Sequence, residues 1–375
     1  MDKPKVLVFI DWFYPAYKAG GPIRSVSGMV KQLSNDFEFY LVTSNQDLGE
    51  EIIDVAPNKW IKKKEFSVIY LDNAKRGKKT YLKIISKINP SKIYINSLFS
   101  RSFSIEPILA ARSLNFNQKI VLAPRGMLGA GALKVKKLKK FSFLILTNWI
   151  QFFKGITWHS TSASESEEIR KWFPKSTIKL AKNLVELPDI IGDRVSNKNK
   201  NELKLIFFSR ISSKKNLLFA IDLISNYSNI SLDIFGPIED QDYWNECNKV
   251  ILEKDVKAEY KGVAKPNELD EILIKYDFFL FPTLHENFGH VISESLLRGT
   301  PVICSDQTYW RNLEKQKAGF DLPLDKEVFK KTLNFCYEMT PEIHQEFIEG
   351  STNLGKNYAL DKTEINNTKK LFSIE

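Results

Sequence analysis

Short, nearly unbroken apolar runs alternate along this chain with longer stretches whose apolar positions recur every three to four residues. The first pattern predicts buried strands and the second predicts amphipathic helices. In the first half the runs place strands at Lys5–Ile10, Phe37–Thr43, Val68–Leu71, Ile93–Ile95, Ile120–Ala123 and Thr157–Ser160. A long loop, Asp11–Pro22, separates the first strand from a helical pattern over Ile23–Leu33. In the second half strands are expected at Leu203–Phe208, Leu232–Phe235, Ala258–Tyr260, Phe278–Phe281 and Val302–Cys304. Asn183–Asp189 reads as the connector, and the polar stretch 193–202 precedes the restart of the alternation. Strands alternating with helices imply parallel βαβ units, hence an α/β chain with one doubly wound domain over residues 1–184 and a second beginning at 185. No internal repeat or low-complexity tract interrupts the pattern.

Composition narrows the class. With 43% hydrophobic and 27% charged residues, a chain of 375 residues has ample core for two or three domains and reads as a globular protein. Cys247, Cys304 and Cys336 stand at unrelated spacings, which gives neither a disulfide framework nor a zinc pattern. They are expected as small buried hydrophobes in a reducing compartment. The segment MDKPKVLVFIDWF lacks a basic region followed by a long apolar one, and no run approaches the ~18 apolar residues of a membrane span. A cytoplasmic location is expected.

Charge is divided unevenly. Residues 1–184 carry 31 Lys and Arg against 14 Asp and Glu, a net of +17, and residues 185–375 carry 24 against 31, a net of −7. An anionic partner is therefore expected for the first half only. The densest basic run, Lys134, Lys136, Lys137, Lys139 and Lys140, leads into FSFLILTNWIQFF. A basic, aromatic-bearing helix of this kind reads as an element for an anionic membrane surface, here the Lys134–Phe153 region. A buried helix with a solvated lysine end fits the same pattern. Nucleic acid is not expected, because no recognition motif accompanies the charge.

The stretch PTLHENFGHVISESLLRGTPVICSD carries the most chemistry. An apolar run stops at Pro282-Thr283, a polar loop holds Glu286, and Gly289 opens a helical pattern that ends before the next strand. Loops at the carboxyl ends of parallel strands are where open α/β sheets bind ligands. Glu286 in the loop and Glu294 one turn into the helix suit vicinal hydroxyls, and Gly289 admits close backbone approach. Either carboxylate is otherwise an ordinary solvated one. Upstream, Arg210 and Lys215 follow the strand LKLIFFS. A planar guanidinium fork and a compact ammonium together suit a diphosphate. Gly20 and Gly21 precede a helix start, where free N–H groups cradle an anion or a sugar, and Arg24 lies on the same turn to meet an acceptor phosphate. Arg125 ends another strand and is expected to contact acceptor or sugar. Of the four histidines, His285 and His290 flank the Glu286 loop, His159 ends a strand and His344 lies in a polar helical pattern. No H-E-x-x-H spacing occurs, and Asp240-Gln241-Asp242 reads as an acidic helix cap, so no metal is expected.

These residues resemble a family. Glu286 and Glu294 match the E-x7-E motif of retaining family-4 glycosyltransferases, and E-N-F-G-H-V-I-S-E…G-T-P-V-I-C is similar to their usual E-G-F-G…E…G-T-P-V-I. Their R-x4-K pattern falls on Arg210 and Lys215. The resemblance is strongest over about residues 200–320. It implies the GT-B architecture, two Rossmann-like doubly wound domains facing a central cleft, with a donor domain over 185–355 and a terminal segment, 356–375, crossing back as a helix. It implies transfer of a hexose from a nucleotide-diphospho-sugar, UDP before GDP, to a lipid-linked or oligosaccharide acceptor, with retention and without metal or cofactor. Glu294 would meet the ribose. Glu286 and the Phe288–Gly289 backbone would meet the sugar, beside Asn287 and His290. Arg210 and Lys215 would meet the diphosphate, Gly236 the nucleotide, and Gly262 with Val263 the base. Gly20 and Gly21 resemble the family's glycine loop. Many relatives carry a His near Arg125, a departure that leaves no catalytic His to carry over. An epimerase of related fold and a noncatalytic nucleotide-sugar-binding protein are the alternatives. A dinucleotide dehydrogenase is disfavoured, since no G-x-G-x-x-G follows the first strand of either half.

Overall fold

The structure, a computed structural model, describes residues 3–134, 137–188 and 194–373. The chain divides into two compact units. One runs to Glu186 and takes in the chain again from Asp361, and the other spans Leu187–Leu360.

The first unit contains β1 (Lys5–Phe9), β2 (Glu38–Ser44), β3 (Trp60–Lys62), β4 (Phe66–Leu71), β5 (Lys92–Ile95), β6 (Ile120–Leu122), β7 (Thr157–Ser160) and β8 (Thr177–Leu180). They form one sheet in the order β3-β4-β2-β1-β5-β6-β7-β8, parallel except where β3 pairs antiparallel with β4. Both faces of this sheet are covered, which explains why β1 is apolar at nearly every position. Successive side chains of a strand point to opposite faces. Leu7 and Phe9 accordingly enter one core, with the helices Lys78–Ile88 and Glu106–Ser113. Val6, Val8 and Ile10 enter the other, with the helix Gly21–Leu33. The terminal helix Lys362–Phe372 belongs to this second core, where the Phe372 ring lies 5.5 Å from Phe37 and 5.7 Å from Tyr94.

The second unit contains β9 (Leu203–Phe208), β10 (Ile230–Phe235), β11 (Ala258–Gly262), β12 (Phe278–Phe281), β13 (Val302–Ser305) and β14 (Gly319–Leu322), all parallel, in the order β11-β10-β9-β12-β13-β14. In both units the chain first builds outward on one side of its first strand and then returns to build on the other. That reversal creates a switch point between β1 and β5 and another between β9 and β12, where the carboxyl ends leave a crevice for ligands. Three short strands, β3, β8 and β14, add to those that the apolar runs predict.

Two buried histidines correct and extend the expectations. His344, expected on a polar helix, is fully buried in the helix Pro341–Ala359. Its Nε2 lies 3.0 Å from the Asp277 carbonyl, which only accepts, so Nδ1 is left to accept from Ser196 at 2.8 Å. His159 repeats the device with the Ala181 carbonyl and the Tyr94 hydroxyl, each at 2.8 Å. Burial foremost, and nearby Arg or Lys charge with it, pushes His344 down to about 4 and His159 down to about 3. Each folded value lies below that of an unfolded His, ~6.5. Below that pH the unfolded chain takes up protons that the folded chain refuses, so stability is full above it and falls on acidification. We expect unfolding free energy to drop by ~2 kcal/mol per histidine between pH 7.5 and 5. Urea titrations at both pH values check this, and His344→Gln should flatten about half of the slope.

Candidate active site

The second switch point collects most of the residues singled out from the sequence. β9 is apolar along its buried length and delivers Ser209 and Arg210 at its carboxyl end. A single-turn helix, Ser213–Lys215, follows, and Asn216 closes it in the left-handed conformation at φ 59°. The Asn216 amide donates to the Pro282 carbonyl at 2.9 Å, which ties this turn to the end of β12. Leu284 N–H and the Thr283 hydroxyl both donate to the Lys214 carbonyl, at 2.9 and 3.1 Å. The two loops are therefore laced together, by one bond between backbones and two from side chains to backbone carbonyls. The lacing brings the buried Lys215 ammonium onto the Glu286 carboxylate as an ion pair, with the Phe281 ring 5.4 Å below the cation. A charge pair this poorly exposed (8% for Lys215, 19% for Glu286) is held by geometry, because desolvation offsets most of its attraction.

Arg210 is handled differently. Its guanidinium donates to Glu239 at 2.7 Å and stays two-fifths exposed. Gly236, after β10, takes φ 142°, and a Cβ there would lie 1.8 Å from the Ser209 carbonyl oxygen. Only glycine lets these two strand ends touch. Gly236 N–H donates to the Gly262 carbonyl at 2.9 Å, and the Tyr260 hydroxyl donates to the Gly236 carbonyl at 2.9 Å. Arg210, Gly236 and Gly262 thus share one rim, with Val263 half-buried beside it.

The helix His290–Leu297 starts from Gly289, which sits in the left-handed region at φ 76°. A Cβ on Gly289 would come within 3.1 Å of the Glu286 side chain, so glycine sets the closeness of helix start and loop. Phe288 is buried against His290, Tyr309, Trp310 and Tyr358, and Trp310 Nε1 donates to its carbonyl at 2.9 Å. That aromatic nest anchors the turn while Asn287 and His290 stay half-buried. Glu294 lies on the inward side of the helix at 9% exposure.

Asp240 is a helix cap, as its sequence context predicts: its carboxylate accepts from Tyr243 N–H at 3.0 Å. Among the described residues no three His, Cys, Asp or Glu side chains gather as metal ligands. Cys247, Cys304 and Cys336 are buried and unpaired.

In the first unit, Gly20 takes φ 67° and its carbonyl receives the N–H groups of Ile23 and Arg24 at 3.1 and 3.2 Å, starting the helix. Arg24 is half-buried on that first turn. Arg125 serves an internal network. It donates to Asn96 at 2.6 Å, to the Tyr94 hydroxyl at 2.6 Å and to Asn183, so it clamps two strand ends to the chain that leaves the unit. Contact with acceptor or sugar would have to come from its remaining edge. The sequence reading missed a polar cavity of about 260 Å³ at the other side of this switch point, lined by Asp11, Asp47, Arg76, Ser100 and Arg101. Asp11 accepts from the Ser100 hydroxyl at 2.5 Å, and burial raises its pKa above the usual carboxylate value, partly offset by that bond. Arg76 donates to Asn45 and Gln46 at 3.1 and 2.9 Å, while Asp47 accepts from Tyr17 and Lys18 N–H and fixes the Asp11–Gly20 loop. The available signal was an Asp close after a strand that is apolar at nearly every position.

Residues 191–334 match the family model for glycosyl transferases group 1. The match lies within the second unit and contains the whole Arg210–Glu294 arrangement. No curated protein sequence matches the chain. Among solved structures, HepE of Anabaena in complex with UDP-glucose aligns with a TM-score of 0.68 at 14% identity, over 98% of each chain. Sucrose-phosphate synthase of Thermosynechococcus elongatus gives 0.71 at 13% identity, over 99% of this chain and 98% of that one. WaaG, described as a glycosyltransferase involved in lipopolysaccharide biosynthesis, gives 0.59 at 13% identity over 98% of each. The likeness extends over both units, and the fold is the pair of Rossmann-like parallel-sheet domains of GT-B glycosyltransferases.

Proposed function

We propose that this chain is a retaining glycosyltransferase that moves a hexose from a UDP-sugar to a hydroxyl of a lipid-linked glycan in bacterial surface polysaccharide or O-antigen assembly. The observation that carries the reading is the placement of Arg210, Lys215, Glu286 and Glu294 around one switch point inside the segment that matches the glycosyltransferase model. The complex of HepE with UDP-glucose supports UDP as the nucleotide. The description of WaaG supports a glycan acceptor of the lipopolysaccharide type.

In this reading Glu294 accepts from the ribose hydroxyls and the rim of Gly236, Gly262 and Val263 receives the base. Glu286, with the Phe288–Gly289 backbone, Asn287 and His290, orients the hexose. Arg210 and Lys215 face the diphosphate, and no metal takes part. As the glycosidic bond breaks, negative charge grows on the leaving diphosphate, and cations already fixed in place stabilise it without reorganisation. Glu286 is occupied by Lys215 and is not assigned as a nucleophile. A donor phosphate oxygen takes the acceptor proton, and the new bond forms on the face the diphosphate leaves. The first unit holds the acceptor, through Gly20, Gly21, Arg24 and the free edge of Arg125, and the protein works at the inner face of the cytoplasmic membrane.

Calorimetric titration with UDP, GDP and a panel of their sugars tests the donor assignment. One nucleotide diphosphate should bind, and Arg210→Ala and Glu294→Ala should each weaken it at least tenfold, ~1.4 kcal/mol. Failure of every nucleotide to bind would sink the donor site. Proton NMR of the product, read for an unchanged anomeric configuration, tests retention.

A further inference from the structure

One helix of the first unit is apolar on two opposite faces. The helix Lys137–Trp149 turns Leu144 and Thr147 inward, and Phe141 and Phe143 pack beside them against Trp172 and Phe99, with ring centroids 5.2 and 5.4 Å apart. Phe152 and Phe153, which follow it, are also buried. Most of the aromatic residues expected at a membrane surface are thus part of the core. That inner face alone anchors the helix.

The outer face carries Leu138, Ile145 and Trp149, spaced seven and four apart as one helical stripe requires, with Leu146 and Ile150 beside it. Their exposures are 84%, 63%, 80%, 54% and 52%. These five are nearly a third of the sixteen large hydrophobics found exposed among the described residues, so the stripe is a patch rather than surface scatter. Lys134, Lys137 and Lys139 are exposed around it, and Lys136 lies outside the described residues. Residues 107–164 contain nine Lys and Arg and no Asp or Glu. A patch that is apolar at its centre and bordered by lysines, in a stretch of sequence without carboxylates, complements one kind of surface. No helix among the described residues is long and apolar enough to cross a membrane.

We propose that the Leu138–Ile145–Trp149 stripe docks on the surface of an anionic bilayer, its apolar side chains entering the headgroup boundary and Lys134, Lys137 and Lys139 meeting lipid phosphates. Lysine stems long enough to reach past the apolar stripe keep their charge at the headgroup level. The proposal deepens the reading of a lipid-linked acceptor by assigning the surface that brings the protein to it, but the docking itself does not depend on glycosyl transfer.

The test is co-sedimentation of the full chain with vesicles of phosphatidylcholine alone and of phosphatidylcholine with roughly 30% phosphatidylglycerol, an anionic load of the kind that attracts basic segments. Binding is expected on the anionic vesicles only, falling with added salt. Leu138→Ser/Ile145→Ser/Trp149→Ser should lower it at least tenfold, and Lys137→Glu/Lys139→Glu should lower it severalfold, both with an unchanged melting temperature, since all five side chains are exposed. Vesicle binding that is absent, or equal in all variants, would overturn the proposal. So would a dimer in sedimentation equilibrium that the serine variant dissolves, which would assign the stripe to a second copy of the chain. UDP binding measured on the same variants separates the two hypotheses: it should be unchanged, and its absence from the parent chain would count against the donor site alone.

Discussion

Lys215→Ala should lower the rate of sugar transfer by roughly 10²–10³-fold with a folded protein still present, because it removes one fixed cation from the developing diphosphate charge. It should also destabilise the second unit. Lys215 is buried and its carboxylate partner, Glu286, keeps only a fifth of its side-chain surface. Removing one member of such a pair strands the other, at a cost of ~3–5 kcal/mol in fully buried cases and less here. The two effects separate in a double variant. Lys215→Ala/Glu286→Gln has no stranded carboxylate, so urea unfolding should recover most of the lost stability, while transfer stays well below that of Glu286→Gln alone. Recovery of both together would mean that Lys215 acts only by holding the loop. Donor hydrolysis and transfer, followed by release of the nucleotide diphosphate, supply the activity readout.

Gly236→Ala should be the most damaging single methyl group in the candidate site. The added carbon would sit 1.8 Å from the Ser209 carbonyl oxygen and 2.6 Å from its carbon, on a backbone at φ 142° where L side chains are strained. Both obstacles are backbone, so no side-chain rotation relieves them. The strand ends must part, which moves Arg210 and breaks the Gly236–Gly262 bond of 2.9 Å. A loss of about 3 kcal/mol follows from strain and contact together, a drop of roughly 6–12 °C in the melting temperature of a unit of this size. Differential scanning calorimetry checks it. Gly262→Ala is the informative contrast. Its φ of 87° is strained in the same way, but no atom lies within 4 Å of the added carbon, so a smaller drop is expected.

The contrast between central and edge strands shows what the sequence could and could not convey. β9, β12 and β13 are covered on both faces and read as apolar runs, so their ends, and the loops that carry Arg210 and Glu286, could be placed from the sequence. β3 and β8 are half-exposed edge strands, WIK and TIKL, in which lysine and threonine break the run. Edge strands tolerate such residues and even require them, which hides them from a search for apolarity. The pairing of Lys215 with Glu286 was not legible either, since it depends on Asn216 and Leu284 lacing two loops that are 71 residues apart in the chain at the paired side chains. Arg125 was placed correctly at a strand end, but its partners Tyr94, Asn96 and Asn183 come from distant segments and turn it inward. His344 looked polar because its neighbours are, while the helix in fact buries it beneath Asp277.

The return of the chain to its first unit has a consequence for how the protein is made. Phe372 fills a place among Phe37, Phe39 and Tyr94, in a core whose other walls are complete by Leu184. During synthesis the first unit therefore leaves the ribosome without the helix that covers Phe37, Phe39 and Tyr94, and that cover arrives only after the whole second unit has been translated. The amino-terminal half emerges first and is finished last.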